Sequence, residues 1–310
     1  MWFQNEGVVQ LNRTISKIRI LRQMHGSASS NRRYTRTRAG NVFLFVFIGA
    51  LGIFSMLPLI YAVFTSFKPI DELLIFPPRF FAHRPTLENY VVLPDLLSSL
   101  RVPLSRYIFN SLFITVFTTV VYIIISSMTA YVFAKSDLKG KNVMFMITQF
   151  ALIFNGTTLG LSQFIILSKL NVVDTYFAYI LPYLASTLGV FLIKQYMEGY
   201  VPDALLEAAK IDGAGYFKTF FGIVIPMIKP AWLTLALFAF RDVWAQVPST
   251  VFSEDIKTLP MIMAQITAGG VARSGSAMAV TTILMIPPIA VYLITQSSVV
   301  DSMSSAGIKE

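Results

Sequence analysis

Cysteine is absent from the 310-residue chain, which removes disulfides, iron–sulfur clusters and thiol nucleophiles together. Histidine is nearly absent, and His25 and His83 stand too far apart to supply a multi-histidine metal site. Charge is scarce as well. Asp, Glu, Lys and Arg make up 13% of the residues, against roughly 25% in a soluble domain. Hydrophobic residues make up 55%, and the mean hydropathy is +0.65. Too little polar surface remains to cover a compact ball in water, so the exterior is expected to face lipid rather than to belong to a soluble enzyme. No G-x-x-x-x-G-K-[ST] loop occurs anywhere, so the chain is expected to carry no ATPase site of its own. Nor can a catalytic dyad or a metal set be assembled.

What is present is a formal net charge of +9, unevenly spread. Eight bases (Arg13, Lys17, Arg19, Arg22, Arg32, Arg33, Arg36, Arg38) against one acid, Glu6, precede the first long apolar run. This is the positive-inside pattern, and the run from Val42 to Phe67 is long enough to be a retained span rather than a signal peptide. A bilayer core of about 30 Å needs roughly 20 helical residues. Six windows meet that length: Val42 to Phe67, Tyr107 to Ala134, Val143 to Ser168, Tyr176 to Tyr196, Ile223 to Val247 and Ala277 to Val299. An even number of spans puts both termini on one side, and the basic segment makes that side cytoplasmic. The loop with Lys135, Asp137, Lys139 and Lys141 then falls inside, as its bases require.

Before the first span, Val8, Leu11, Ile15 and Ile18 recur at helical spacing beside Arg13, Lys17, Arg19 and Arg22. This predicts a basic amphipathic helix on the inner membrane surface, or else a disordered basic tail that only fixes orientation, within a cytoplasmic extension, residues 1–40, with a polar linker from Gly26 to Gly40. The six-span domain would occupy residues 41–310. Its longest external loop, Lys68 to Arg106, is rich in Pro and aromatic residues, so a long regular helix is not expected there.

The segment from Val201 to Gly222 is the longest cytoplasmic stretch within the membrane domain. Pro202 and Asp203 suit a helix start, Ala204 through Lys210 are strong helix formers, and Gly213 with Gly215 would stop the helix. A second helix is expected near Tyr216, kinked or restarted at Pro226 and Pro230. The residues Glu207-Ala208-Ala209, then Asp212-Gly213-Ala214, then Phe220 and Pro226, resemble the EAA loop of ABC importer membrane subunits. Further stretches resemble the carbohydrate branch of that family, typified by the smaller membrane subunit of the maltose transporter. They are Ser66-Phe67-Lys68-Pro69 through Pro85-Thr86-Leu87-Glu88-Asn89-Tyr90, Asn110-Ser111-Leu112, Ala130 to Lys135, Asp174-Thr175-Tyr176 with Leu181-Pro182, and Ala306-Gly307-Ile308-Lys309.

The resemblance covers residues 40 to 310. It implies an all-α polytopic permease of the type I ABC importer fold, in the inner membrane of a bacterium or archaeon. Its implied partners are a second homologous membrane subunit, ATP-binding cassette subunits that hold ATP and Mg, and an extracytoplasmic solute-binding protein. The cargo would be a sugar or oligosaccharide, an acidic one among the candidates. By the same resemblance, Glu207, Ala208, Ala209, Asp212, Gly213 and Ala214 form the coupling helix that engages the ATPase.

Polar groups within spans are candidate path residues. They are Asn155, Thr157 and Gln163 in the third window and Arg241 beside Asp242 in the fifth, with Tyr183, Phe240 and Trp244 as aromatic faces for a sugar ring. Arg241 offers five donors in a planar fork to a hydroxyl-rich or acidic sugar, or else an ion pair to a neighbouring subunit. Family members usually carry Trp-Asn-Asp or a close variant where this chain has Trp244-Ala245-Gln246. Two other readings stand: an ABC permease for a non-carbohydrate solute, and an ion-coupled carrier. Carboxylates or histidines in several spans would favour the latter, and Asp242 is the one plain acid well inside a span.

Overall fold

The computed structural model describes residues 38–98, 102–153, 159–270 and 273–306. The amino-terminal amphipathic helix and most of the linker therefore lie outside the described residues, as do Gly307, Ile308 and Lys309. All regular structure among the described residues is helical. In chain order these are α1 (Arg38–Ser66), α2 (Ile70–Leu73), α3 (Glu88–Ser98), α4 (Leu104–Lys135), α5 (Lys141–Ala151), α6 (Gly160–Lys169), α7 (Phe177–Leu184), α8 (Leu188–Tyr200), α9 (Asp203–Ile211), α10 (Tyr216–Met227), α11 (Lys229–Trp244), α12 (Leu259–Ala268) and α13 (Ser274–Ala306).

Packing divides the chain into two compact units, Met1–Leu57 and Pro58–Glu310. In the first, the described residues form the start of α1, and its apolar side chains from Val42 to Leu57 are exposed. The second is organised on α4, which packs against α8 and α11, while α11 packs against α13. In lipid, helix packing rests on close contact and hydrogen bonds, since lipid tails are as apolar as leucine. Gly189 at the start of α8 shows the closeness: a Cβ there would meet the Tyr122 hydroxyl at 2.7 Å, Ser126 Oγ at 2.7 Å and Leu235 Cδ2 at 2.9 Å.

Among the described residues three helices (α1, α4 and α13) are long and apolar enough to cross a membrane, and five spans result if α7–α8 and α10–α11 each count as one bent span. The departures from six continuous windows have local causes. The fourth window breaks after Leu184 with a 41° bend, and α8 then continues to Tyr200, four residues past the expected end. The fifth bends by 80° at Ile228, so the span proper starts at Lys229 and the residues from Ile223 to Met227 belong to α10. Pro230 sits in the first turn of α11, where its missing N–H leaves no intrahelical bond unmade. A π-helical turn at Phe220–Val224 adds a residue to the turn and puts both Phe220 and Val224 in the core. The third window is two helices, α5 and α6, each too short to span alone; α5 closes with tightened bonds from Leu152 N–H to Gln149 O and from Ile153 N–H to Phe150 O. In the proline-rich loop an 11-residue helix, α3, forms with Pro94 inside it.

At the end of the bundle opposite α9, side chains tie the segment from Thr250 to Thr258 onto the helices. Asn110, fully buried, donates to the carbonyls of Asp255 (2.8 Å) and Lys257 (3.0 Å) and accepts from the Tyr176 hydroxyl at 2.9 Å. Ser111 Oγ accepts the Leu259 N–H at 2.8 Å, capping the start of α12. Tyr179 donates to the Ile256 carbonyl at 2.9 Å. Asp174, in the left-handed region at φ 61°, accepts the N–H groups of Phe252 (3.0 Å) and Ser253 (2.8 Å) and the Ser253 hydroxyl. These Ser253 and Phe252 donors, with Lys257 nearby, hold its carboxyl below the ordinary carboxylate pKa.

Two outcomes follow. Gly189→Ala is expected to destabilise the bundle by about 1–3 kcal/mol, the scale of overpacking a filled core, read as a lower thermal midpoint in detergent. A carboxylate whose pKa is depressed by folding stabilises above its ordinary pKa and loses that contribution as pH falls through the depressed value. The difference in thermal midpoint between wild type and Asp174→Asn should therefore be constant above about pH 5 and shrink as pH drops below the usual carboxylate range near 4. A difference that grows on acidification would contradict the assignment.

Candidate functional site

The expected coupling segment is a nine-residue helix that packs one side, Leu206 and Ala209, on the bundle and leaves the other exposed. Pro202 precedes α9 with φ −66° and Asp203 lies in its first turn, where a negative charge meets the positive end of the helix dipole. Lys135, at the end of α4, pairs with Asp203 at 2.8 Å and moors the helix. Its stop is a Schellman closure: Ala214 N–H reaches Ala209 O at 2.9 Å, Gly213 N–H reaches Lys210 O at 3.1 Å, and Gly213 takes φ +76°. Glycine, with no Cβ to clash, adopts that backbone most readily. Glu207, Ala208 and Asp212 are exposed, Ala214 is half-exposed, and Ile211, Tyr216 and Phe217 are the most exposed apolar side chains of this end. Ala209 departs from the expected docking face, because it is buried against the chain's own core. On α9 it lies on the side away from Glu207, about 200° round the wheel.

After α9, α10 returns toward the bundle with Phe220 against Tyr131 of α4, ring centroids 5.5 Å apart. The 80° bend frees the Ile225 carbonyl, which accepts from the Trp232 indole at 3.3 Å.

The expected path residues separate. Asn155 and Thr157 lie outside the described residues. Gln163 is half-buried on α6. Tyr183, half-buried on α7, meets Tyr122 edge to face at 5.0 Å, and its hydroxyl faces the Asp242 carboxylate. Arg241 and Asp242 are both exposed on α11, and the guanidinium bears on its neighbour's carboxylate. Trp244 is a correction: it is 5% exposed, donates to the Leu284 carbonyl at 2.9 Å, and stacks on Phe240 at 5.9 Å. The indole joins α11 to α13 and offers no free face to a sugar; Phe240, also buried, does not either.

Sequence reasoning missed the work done by Asn89 and Tyr122. Asn89 donates to the carbonyls of Ser66 (2.9 Å) and Lys68 (2.8 Å), and Tyr90 shares a hydrogen bond with Ser66 Oγ at 2.8 Å. A Cβ at Gly275 would sit 2.3 Å from Asn89 Oδ1. The Thr86 to Tyr90 motif is thus a clamp on the end of α1. Tyr122 accepts the Gly189 N–H at 2.7 Å and donates to Ser186 at 3.3 Å. A tyrosine in the middle of an apolar run was the available signal, since a buried phenol needs partners.

With this geometry in place, the chain matches the family model described as "Binding-protein-dependent transport system inner membrane component" over residues 142–305. Protein LplC of Bacillus subtilis is 30% identical over 301 residues, covering 88% of this chain and 97% of LplC. The arabinooligosaccharides transport system permease protein AraQ of Halalkalibacterium halodurans is 29% identical over 285 residues, covering 86% and 94%. In fold, the chain is similar to one in the crystal structure of a bacterial ABC transporter involved in the import of the acidic polysaccharide alginate, with TM-score 0.68, 22% identity, and 84% and 98% of the two chains covered. These matches span most of the chain and of its relatives, and the chain belongs to the family of inner-membrane components of binding-protein-dependent transport systems.

Proposed function

We propose that this chain is the membrane-spanning permease subunit of an ATP-driven, binding-protein-dependent ABC importer for a sugar or oligosaccharide, forming the translocation path with a second homologous membrane subunit. With α5 and α6 together counted as a sixth crossing, both termini and α9 lie on the cytoplasmic side, and the segment from Thr250 to Thr258 lies outside. The observation that carries the reading is α9: a short helix with Glu207, Ala208 and Asp212 exposed, fixed at one end by Lys135 and at the other by Gly213. Small residues let a partner's groove approach the backbone, and the carboxylates supply directional contacts. Support for carbohydrate comes from relatives such as AraQ, whose name specifies arabinooligosaccharides.

In this reading ATP and Mg belong to the partner ATPase, and nothing in this chain makes or breaks a covalent bond. Closure of the ATPase moves α9. Because α9 is tied to α4 by Lys135 and α10 is packed on Tyr131, that movement is passed to the packed helices α4, α8 and α11 as a rigid-body displacement. A solute-binding protein delivers the sugar to the outer surface, formed by the loop from Lys68 to Arg106 and the segment Thr258-Leu259-Pro260.

The test is purification of the tagged chain in mild detergent with mass identification of co-purifying subunits. An ATPase is expected to accompany the wild type and to be reduced tenfold or more in Glu207→Lys, with expression and thermal midpoint of the chain unchanged because Glu207 is exposed. A chain that purifies alone and moves solute in liposomes without ATP would sink the proposal in favour of an ion-coupled carrier.

A further inference from the structure

The break between α7 and α8 lies deep in the span region. Tyr122, which contacts it, stands 18 residues after Leu104 and 13 before Lys135, roughly 27 Å and 20 Å along an unbroken helix. Ala185 is exposed at the break, Ser186 and Thr187 are half-exposed, and Arg241 and Asp242 are exposed beside it on α11. Irregular backbone at membrane depth persists only where it is buried in protein or lines water, and exposed charges within a span obey the same rule. The exposed row on α4 contrasts with this: Phe109, Leu112, Phe113, Val116, Phe117 and Val120 are all apolar. Lipid suits that row and does not suit the surface around Ala185.

The groups at the break are also held in place. The Tyr122 hydroxyl is fixed by the Gly189 N–H at 2.7 Å and by Ser186 at 3.3 Å. Its ring sets Tyr183 edge to face at 72°, and the Tyr183 hydroxyl faces Asp242. A carboxylate that faces one hydroxyl keeps lone pairs for other donors, and the adjacent guanidinium offers donors of its own.

We propose that Asp242, positioned by Tyr183 and flanked by Arg241, is a hydroxyl-binding subsite for the sugar where the path passes the α7–α8 break. This rests on the permease reading above. Asp242 accepts from sugar hydroxyls and Arg241 donates to sugar oxygens. Because the two charges balance, the subsite takes an uncharged hydroxyl-bearing unit, and Arg241 is not a dedicated carboxylate reader.

The chain has no cysteine, so Ala185→Cys gives this subunit a single thiol. In the complete reconstituted transporter, with the remaining subunits made cysteine-free, that thiol is expected to react with a membrane-impermeant charged methanethiosulfonate at least tenfold faster than Val120→Cys. Sugar delivered by the binding protein should slow the reaction severalfold. Asp242→Asn should lower sugar uptake about tenfold and abolish the protection, while ATP hydrolysis stays within twofold. Arg241→Gln should impair uptake without shifting preference between neutral and acidic sugars. Failure of the permease reading would show separately, as a preparation with no associated ATP hydrolysis. With hydrolysis intact, equal reactivity at Ala185→Cys and Val120→Cys, or unchanged uptake and protection in Asp242→Asn, overturns the subsite.

Discussion

Every interruption of a membrane-spanning helix frees backbone groups that lipid cannot satisfy, and α4 is the uninterrupted helix that supplies many of the missing partners. Its Tyr122 takes the N–H of Gly189 where α8 restarts. Its Asn110 holds two carbonyls of the segment before α12, and Ser111 caps α12 itself. At the other end Lys135 moors α9. One uninterrupted helix thus satisfies broken ones at points along its length, through the polar side chains of Asn110, Ser111, Tyr122 and Lys135. The elbow between α10 and α11 is handled differently. Trp232 reaches back to the Ile225 carbonyl, and Pro226 and Pro230 bring no N–H of their own to satisfy.

Much of this was legible in the sequence, for physical reasons that can be named. Hydropathy finds long apolar helices because the bilayer fixes their length, so α1, α4 and α13 were readable. The stop at Gly213 was readable because a left-handed residue strongly favours glycine. The break after Leu184 was legible only in part: Pro182 inside α7 is a disrupting residue, but the partner that makes the break tolerable, Tyr122, lies 64 positions before Ser186. The depth of Trp244 was hidden for the same reason: whether an indole in a span packs or lines a path depends on where its N–H finds an acceptor, and that acceptor is Leu284 on a different helix. Asn89 was recorded as part of a motif, yet its role as a clamp on two carbonyls of a preceding helix end needs coordinates.

The end that carries α9 and the interior are mechanically continuous. Phe220 and Val224 lie in the same core cluster as Tyr122, Ile193, Met197 and Leu235. A displacement of α10 therefore cannot be absorbed locally, because a close-packed core transmits strain rather than damping it. The bends at Ile228 and after Leu184 are the places where the chain departs from straight spans, and they lie on the two helix pairs, α10–α11 and α7–α8, that meet α4. The relative motion of those pairs about α4 that the proposed function requires would keep the hydrogen bonds within each helix while changing what faces the break.

The same accounting sorts the exposed surface. On α4 the exposed row is Phe, Leu and Val, with Phe109, Phe113 and Phe117 stacked at 5.8 Å intervals, and such a row is at ease against hydrocarbon. Around Ala185 the exposed groups are backbone at a break and the charges of Arg241 and Asp242. No lipid tail offers these a partner. A chain with one surface of each kind within its spans is solvated on only one of them by the bilayer, and the other calls for protein or water in place of hydrocarbon. That asymmetry, set by a few polar residues in an otherwise apolar sequence, is what the proposed pairing with a second membrane subunit would accommodate.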